Sequence, residues 1–508
     1  MLGKRFFVGM GLTLALAAAN AEYIEVYTDS GSVRVGEDIR FYISSDVGQV
    51  RIEATRIAAR WNETVLVASL DVLAQPIPAV EPWKTGPGWE ESYRFAVPPD
   101  WQPGLYDFRV RSFSNSNLYQ RTLVSVLPES PGAYSRVVVL LNDSTENAYN
   151  TWGGKSNYKS LLPDSPAKAS RLAFNRPGTR KYQWIDWEFP RWADLVGMRV
   201  EYITTLDLHY ADDLLDHYDI LVLSGHSEYW SREMRGALER FLARGGKLVS
   251  LSGNTMWWSV RFEETPGGTM MISCKGGWPG NAECPLDHEL FTGYWHRSEN
   301  PFTPSMNNPE TLVMGESSLY GGYVDSHGFL TGAEGYGGYF AQLDAHWFWA
   351  GTGVVFGDHV GRVAGIAGYE ADSPPLVHEV KGGNLIVDPD ASDLPAGIEV
   401  LGTTPAANED HEGYGAITYF TYGQNGGEVF NCGSVDCSKG LGSDPQWRKA
   451  VLNVFKRFGA FGQGSPTATD FDGDGIADSD DNCIATVNPE QIDSWSDGTG
   501  DACDRHCH

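Results

Sequence analysis

The segment Ser224-Gly225-His226-Ser227-Glu228-Tyr229-Trp230 sets an imidazole and a carboxylate two residues apart, just behind a glycine. A histidine and a carboxylate on one loop can bind a metal or share acid–base work, and Gly225 allows the tight turn that would present them. Gly253-Asn254 is a second polar segment of this kind. Asn142-Asp143-Ser144-Thr145, running on through Ala148-Tyr149-Asn150-Thr151-Trp152-Gly153-Gly154, is a third. Any one of these is explained by caps and turns; three that each end an apolar run point to a single crevice. Ser227 offers a competing nucleophile, because strand, Gly-x-Ser and helix follow one another there. A nucleophile elbow needs glycine two residues after the serine, and Tyr229 stands in that place. Neither H-E-x-x-H nor G-x-x-x-x-G-K occurs, which removes the common zinc-protease and phosphate-loop readings. His209 and Lys275 are spare titratable candidates, expected at the surface.

The elements that must position these groups are legible as apolar runs. Arg136 to Leu141 reads RVVVLL, Ile220 to Leu223 reads ILVL, and Lys247 to Leu251 reads KLVSL, as strands buried on both faces do. Between the last two, Met234, Ala237, Leu238, Phe241 and Leu242 make a helical stripe. Ser231 is its N-cap, Glu233 complements the helix dipole, and Gly245-Gly246 is its stop. Strand, helix and strand predict a βαβ unit and a mostly parallel α/β sheet, with ligands at the carboxyl ends of its strands. A strand over 416–422 and a helix over 446–458 close this domain, while 260–410 is irregular and rich in Gly and aromatics. Ahead of it, Ile39/Phe41/Ile43, Tyr93/Phe95/Val97 and Tyr106/Phe108/Val110 alternate with period two. That pattern predicts an N-terminal antiparallel β-sandwich of the immunoglobulin-like kind over 22–130.

The chain has 508 residues and a formal charge of −28, and its aromatic content excludes wholesale disorder. A pI near 4.7 argues against nucleic acid and anionic membranes as partners. Lys4-Arg5, the apolar run Phe6 to Ala19 and Ala19-Asn20-Ala21 read as a cleaved export signal over 1–21. No later run is long enough to span a bilayer, so a secreted or periplasmic protein is expected. Export permits disulfides among the seven cysteines; Cys274/Cys284 and Cys432/Cys437 are near enough for local loops.

Several motifs then share one order. Tyr149-Asn150-Thr151-Trp152-Gly153-Gly154, Phe174-Asn175-Arg176-Pro177, Thr205-Leu206-Asp207-Leu208, Gly225 through Ser231, Gly253-Asn254 and Val429-Phe430-Asn431-Cys432-Gly433-Ser434 resemble the C-terminal region of the N,N-dimethylformamidase large subunit family. The resemblance covers about 136–458, within a domain placed at 131–458. It implies a glutamine-amidotransferase-like α/β fold and hydrolysis of a small amide at a mononuclear Fe(III) held by two tyrosines and one glutamate. Carried over by residue, it implies Glu228, Tyr149 and Tyr106 as iron ligands, with His226 and Asn254 orienting water or substrate. Ser227 departs from the motif, where an acidic residue is common. A homo-oligomer or a small accessory subunit is compatible with this reading. The rival reading is a secreted calcium-dependent binding or adhesion protein on a non-catalytic α/β scaffold. A charged crevice around Glu228 favours the enzyme; a crevice plugged by Trp257 or Trp258 favours the rival.

Beyond a flexible linker at 459–469, residues 470–508 carry a net charge of −10. Asp470, Asp472, Asp474, Asp478 and Asp481 are spaced around Gly473 and Gly475 so that their oxygens could wrap one Ca²⁺. With Asn488-Pro489-Glu490-Gln491 and Asp497 to Asp504, the segment resembles a thrombospondin type 3 repeat, which implies calcium loops stapled by disulfides. Trp495 and Ser496 depart from that pattern in the second loop.

Overall fold

The computed structural model describes residues 22–59, 64–78, 80–180, 187–276, 292–297, 305–324, 337–378, 384–407, 412–424, 426–461, 476, 481–483, 488–494 and 500–502. Strand dominates, as expected of a chain that alternates polar and apolar residues over so many short runs.

Near the N-terminus, Ile24–Thr28, Asp38–Ser45 and Tyr93–Ala96 form a three-stranded sheet, and Ser32–Arg34, Tyr119–Leu127, Gly104–Ser112, Gln49–Arg56 and Val65–Asp71 a five-stranded one. The alternation has the expected consequence. Ile39, Phe41, Ile43, Tyr106, Phe108 and Val110 from the two sheets are buried in one shared core. One pairing departs from the antiparallel expectation, since Ser32–Arg34 runs parallel to Tyr119–Leu127.

Among the described residues the largest sheet has eleven strands. Glu201–Ile203, Val137–Leu140, Ile220–His226, Lys247–Gly253 and Gly427–Asn431 lie side by side, all parallel. Val137 and Val139 face one apolar core, with Trp192 and the C-terminal helix Pro445–Phe458. Val138 and Leu140 face the other, with the helix Arg232–Ala243. Burial on both faces is why these runs are continuously apolar. The helix is capped as its sequence implies, the Ser231 hydroxyl accepting the Met234 N–H at 3.2 Å.

The expectation of a mostly parallel sheet holds for only one half. After Gly427–Asn431 the sheet continues through Glu412–Tyr422, Glu399–Ala407, Ser317–Tyr323 and Glu370–Ser373, and each of these pairings is antiparallel. Of these strands, Glu399–Ala407, Glu412–Tyr422 and Gly427–Asn431 follow one another along the chain, and consecutive strands that pair directly do so antiparallel. A four-stranded sheet, Arg171–Ala173, Gly268–Ile272, Trp258–Thr265 and Tyr229–Ser231, lies beside the strand ends.

The N-terminal sheets are fastened to the rest of the molecule. Leu105 and Leu123 join the core of Trp192 and Tyr202, Arg56 pairs with Asp194 at 3.0 Å, and Ser125 Oγ donates to the Tyr202 carbonyl at 2.6 Å.

Candidate active site at the strand ends

The strand Ile220–His226 runs three residues further than its apolar stretch, carrying His226 to its last position. Gly225 has φ 77°, in the left-handed region. Beside it, Lys247–Gly253 ends at a glycine that could be nothing larger. A Cβ on Gly253 would lie 2.5 Å from Val435 N and 2.6 Å from the Glu370 carbonyl oxygen. That close approach brings the antiparallel half of the sheet, through Glu370, against the ends of the parallel half. Asn254 follows with φ 48°. Its backbone N–H and that of Thr255 donate to the two carboxylate oxygens of Asp372, each at 2.9 Å.

Glu228 is the hub. Its side chain is 2 % exposed and accepts from Tyr158 Oη at 2.7 and 2.9 Å and from Tyr149 Oη at 3.3 Å; Lys275 Nζ lies 3.2 Å away. Tyr149 ends the helix Asp143–Tyr149, and its ring stacks on that of Tyr158 with centroids 3.8 Å apart. Tyr229 Oη donates to Tyr158 Oη at 3.0 Å, and Lys275 Nζ sits 3.7 Å above the Tyr158 ring. Trp257 and Trp258 pack on Tyr294, leaving Glu228 faced by phenols, imidazole and ammonium.

His226 is wholly buried between carboxylates. Nε2 lies 3.0 Å from Glu370 Oε2 and 3.3 Å from Glu228 Oε2, while Nδ1 faces the Gly253 carbonyl at 3.2 Å. Oxygens at both nitrogens suit the imidazolium, which donates from each. Burial alone would depress its pKa; Glu370, then Glu228, outweigh it and carry it up to about 9. Burial likewise pushes Glu370 up, yet His226 and the Asn254 amide, at 3.1 Å, hold it below the usual range. Lys275 is pulled down by burial against the opposing pull of Glu228. Burial, then the Glu228 charge, raises Tyr149 and Tyr158 far above ordinary phenols.

Of the residues singled out from sequence, His226, Glu228, Tyr149 and Asn254 come together. Tyr106 does not join them. Its hydroxyl donates to the Gln102 carbonyl at 2.9 Å and its ring stacks on Trp101 at 4.6 Å within the N-terminal core, the local bond that a tyrosine corner makes. Period two puts Tyr106 on the face of Phe108 and Val110, and that face points inward. Lys275, expected at the surface, is half-buried with Nζ on Glu228, and His209, also expected there, is half-buried with Nδ1 2.8 Å from Ser231 Oγ. Tyr158, Tyr229 and Glu370 were not anticipated. The only sequence signal for Tyr158 is its place in the polar Ser156-Asn157-Tyr158-Lys159 segment after the Tyr149 motif, and Glu370 lies in the stretch without readable topology. Asp470, Asp472, Asp474 and Asp478 lie outside the described residues. Asp481 Oδ1 accepts from the Cys483 N–H at 2.8 Å and from Gln491 Nε2 at 2.7 Å.

The model of the N,N-dimethylformamidase beta subunit-like, C-terminal family matches residues 51–449. The chain belongs to this family. The match starts well before 136, where the resemblance began, and so takes in three whole strands of the N-terminal five-stranded sheet and most of a fourth, Gln49–Arg56. That extent agrees with the shared core around Leu105, Leu123 and Trp192. Comparison with curated proteins finds no match. Residues of these motifs contact one another in space. Asn150 Nδ2 donates to the Pro177 carbonyl at 2.9 Å, and Arg176 Nη2 to the Asn147 carbonyl at 2.8 Å. Gly153, at φ 82°, backs onto Trp83 N, which a Cβ would meet at 2.6 Å. Cys432 and Cys437 form a disulfide; Cys284 lies outside the described residues.

The donors at Glu228 fit a hard trivalent cation. Among the described residues no group of three or more His, Cys, Asp or Glu side chains is placed to hold a metal. Tyr149 Oη, Tyr158 Oη and the Glu228 carboxylate are three hard oxygen donors, each phenol 2.7–3.3 Å from that carboxylate. A cation there would oppose the Glu228 charge that, after burial, raises both phenols.

Proposed function

We propose that this chain hydrolyses the C–N bond of a small amide at a mononuclear iron, for which Tyr149, Tyr158 and Glu228 would be the ligands. The observation that carries the reading is the meeting of these three oxygens with His226, Glu370 and Lys275 at the parallel strand ends, in a chain of the dimethylformamidase-like family. Bound there, ferric iron would supply a Lewis acid that polarises an amide carbonyl and acidifies water.

The chain's own residues supply the rest. Glu370 stays ionised and holds a proton on His226, and Asn254 fixes the Glu370 carboxylate through its amide. His226 delivers that proton to the leaving nitrogen as the C–N bond breaks, and the His226–Glu370 pair recovers one from the attacking water. Water's hydroxyl ends on the acyl carbon, and amine and carboxylic acid leave. Lys275 balances the Glu228 charge and keeps that side chain in place.

Purified full-length protein should contain iron, show a visible phenolate-to-iron band, and release amine from simple amides. Tyr158→Phe should remove or shift the band. Iron-free protein that takes up no iron, together with an unchanged Tyr158→Phe variant, would overturn the ligand set.

Export after residue 21 and calcium binding through Asp470, Asp472, Asp474, Asp478 and Asp481 are part of the same proposal. The support is the leader pattern, the tail's charge and the closed turn around Asp481. Calorimetry with Ca²⁺ on the intact chain and on Asp474→Asn tests the second.

A further inference from the structure

A cavity of about 270 Å³ lies between the N-terminal five-stranded sheet and the helix Glu188–Leu195, and none of the residues gathered on Glu228 lines it. Its charged lining is Arg56, Asp107, Arg121 and Arg191, while Ile57 and Trp187 supply apolar surface. The alternation that sends Phe108 and Val110 into the N-terminal core sends Asp107, Arg109 and Arg121 to the opposite face of the sheet. There Arg109 and Arg121 stand directly opposite each other, and like charges so placed cost stability. Asp107 relieves them unequally. Its carboxylate is 2.6 Å from Arg109 Nε but 3.7 Å from Arg121 Nε, beyond hydrogen-bond distance. Arg121 is otherwise held by the Trp187 ring, with its Cζ 5.0 Å from the centroid. Its side chain is 26 % exposed, and among the described residues its guanidinium donates no hydrogen bond. Arg56, by contrast, is seated, with Nη1 donating to Asp194 at 3.0 Å.

A guanidinium carries five N–H donors on a rigid fork that matches a carboxylate, and its flat face stacks on aromatic rings. An unmet fork on the wall of a cavity, braced by a tryptophan, is therefore a seat for a carboxylate on an apolar body. We propose that this cavity binds a small organic carboxylate, with its anionic end on Arg121 and its apolar body against Trp187 and Ile57. Asp107 stands in the same wall and opposes a dianion, which favours a carboxylate over phosphate. The protein's net charge of −28 does not forbid an anion here, because distant charges are screened over about 8 Å at physiological salt and the arginines lie at the site itself. The proposal goes beyond the amide-hydrolase reading and does not depend on it.

The test is calorimetry on the intact protein with benzoate as the probe. Wild type should bind benzoate, and Arg121→Gln should weaken binding about tenfold or more, since charge-assisted hydrogen bonds are lost. Arg121→Lys keeps the charge without the fork and should weaken it about 3- to 5-fold. Asp107 retains Arg109 in both variants, and melting curves without ligand check that both are folded. On wild type alone, benzyl alcohol, the neutral counterpart, should bind about tenfold or more weakly than benzoate. A carboxylic acid is also what amide hydrolysis releases, so Glu228→Gln is the control and should bind benzoate as wild type does. Binding lost in Glu228→Gln but kept in Arg121→Gln would place benzoate at the strand ends and overturn the proposal. So would no binding by wild type, equal binding by wild type and both Arg121 variants, equal binding of benzyl alcohol, or tighter binding of inorganic phosphate.

Discussion

Tyr106 in the N-terminal sheets and Tyr158 at the strand ends are both sheltered phenols whose pKa is raised by burial, and they sit in opposite chemical settings. Around Tyr106 are Trp101, Phe108 and one backbone carbonyl, with its pKa pushed up to about 12. Around Tyr158 are a carboxylate, a lysine and two further tyrosines. A buried hydroxyl with one neutral acceptor is what a fold needs to avoid an unmet polar group. Several titratable groups aimed at one another and removed from water cost stability, and such costs are concentrated where chemistry is done.

The strongest way to break this comparison is to empty the hub. Glu228→Gln keeps the shape and removes the charge shared by Tyr149, Tyr158, His226 and Lys275. Amide turnover should fall by about 100- to 1,000-fold or more, and iron content should fall with it. If Tyr106→Phe does equal damage and Glu228→Gln little, the contrast between the regions is wrong.

Next in size is a change that touches no titratable group. In Gly253→Ala the new methyl must displace Val435 or the Glu370 backbone, and Glu370 is what holds His226. Turnover should drop about 10- to 100-fold, with a stability loss of about 1–3 kcal/mol from overpacking. Thermal melts and kinetics on one preparation separate the two effects.

How much of this was readable beforehand follows from the same contrast. The three parallel strands and the capped helix were legible because burial on both faces leaves an unbroken apolar run and Ser231 must satisfy orphan N–H groups. His226, Glu228, Tyr149 and Asn254 were legible because they directly follow such runs or sit in motifs near them. Tyr158, Lys275 and Glu370 were not, because each reaches the hub from a loop or strand whose position is set by tertiary contacts. Glu370 is the clearest case: its strand is placed by the close approach at Gly253 and by pairing with Ser317–Tyr323, neither of which leaves a periodic trace. The antiparallel half of the sheet escaped for the same reason. Tyr106 shows the converse, since a residue matching a ligand pattern was also, by alternation, a core residue, and the alternation decided its place.

Buried acids give a third measure. Glu370 has imidazole and amide partners and lies low, whereas Glu310, also fully buried, has the Ser317 hydroxyl and is raised by burial to about 7 from 4.5. A carboxyl whose folded pKa exceeds its unfolded value keeps a proton that the unfolded chain has lost. Its stabilising contribution is therefore complete below about pH 4.5 and is lost as pH rises through 7. The loss is up to about 3 kcal/mol. Glu310→Gln should flatten the fall in melting temperature between pH 5 and 8. A slope unchanged from wild type would mean that Glu310 is ionised in the fold.

The smallest expected effect is the most discriminating. Tyr106→Phe keeps the ring on Trp101 and removes only the donor to the Gln102 carbonyl, costing about 0.5–1.5 kcal/mol. Because that bond closes a turn within one strand entry and no atom of it reaches Glu228, iron content, the visible band and kcat/KM should all stay at wild-type values. Tyr158→Phe removes one hydroxyl of the same kind and should change all three. The pair of substitutions therefore holds side-chain chemistry constant and varies only the surroundings. A stability loss confined to the first and a spectral loss confined to the second would establish that location, not residue type, divides the structural tyrosine from the functional one.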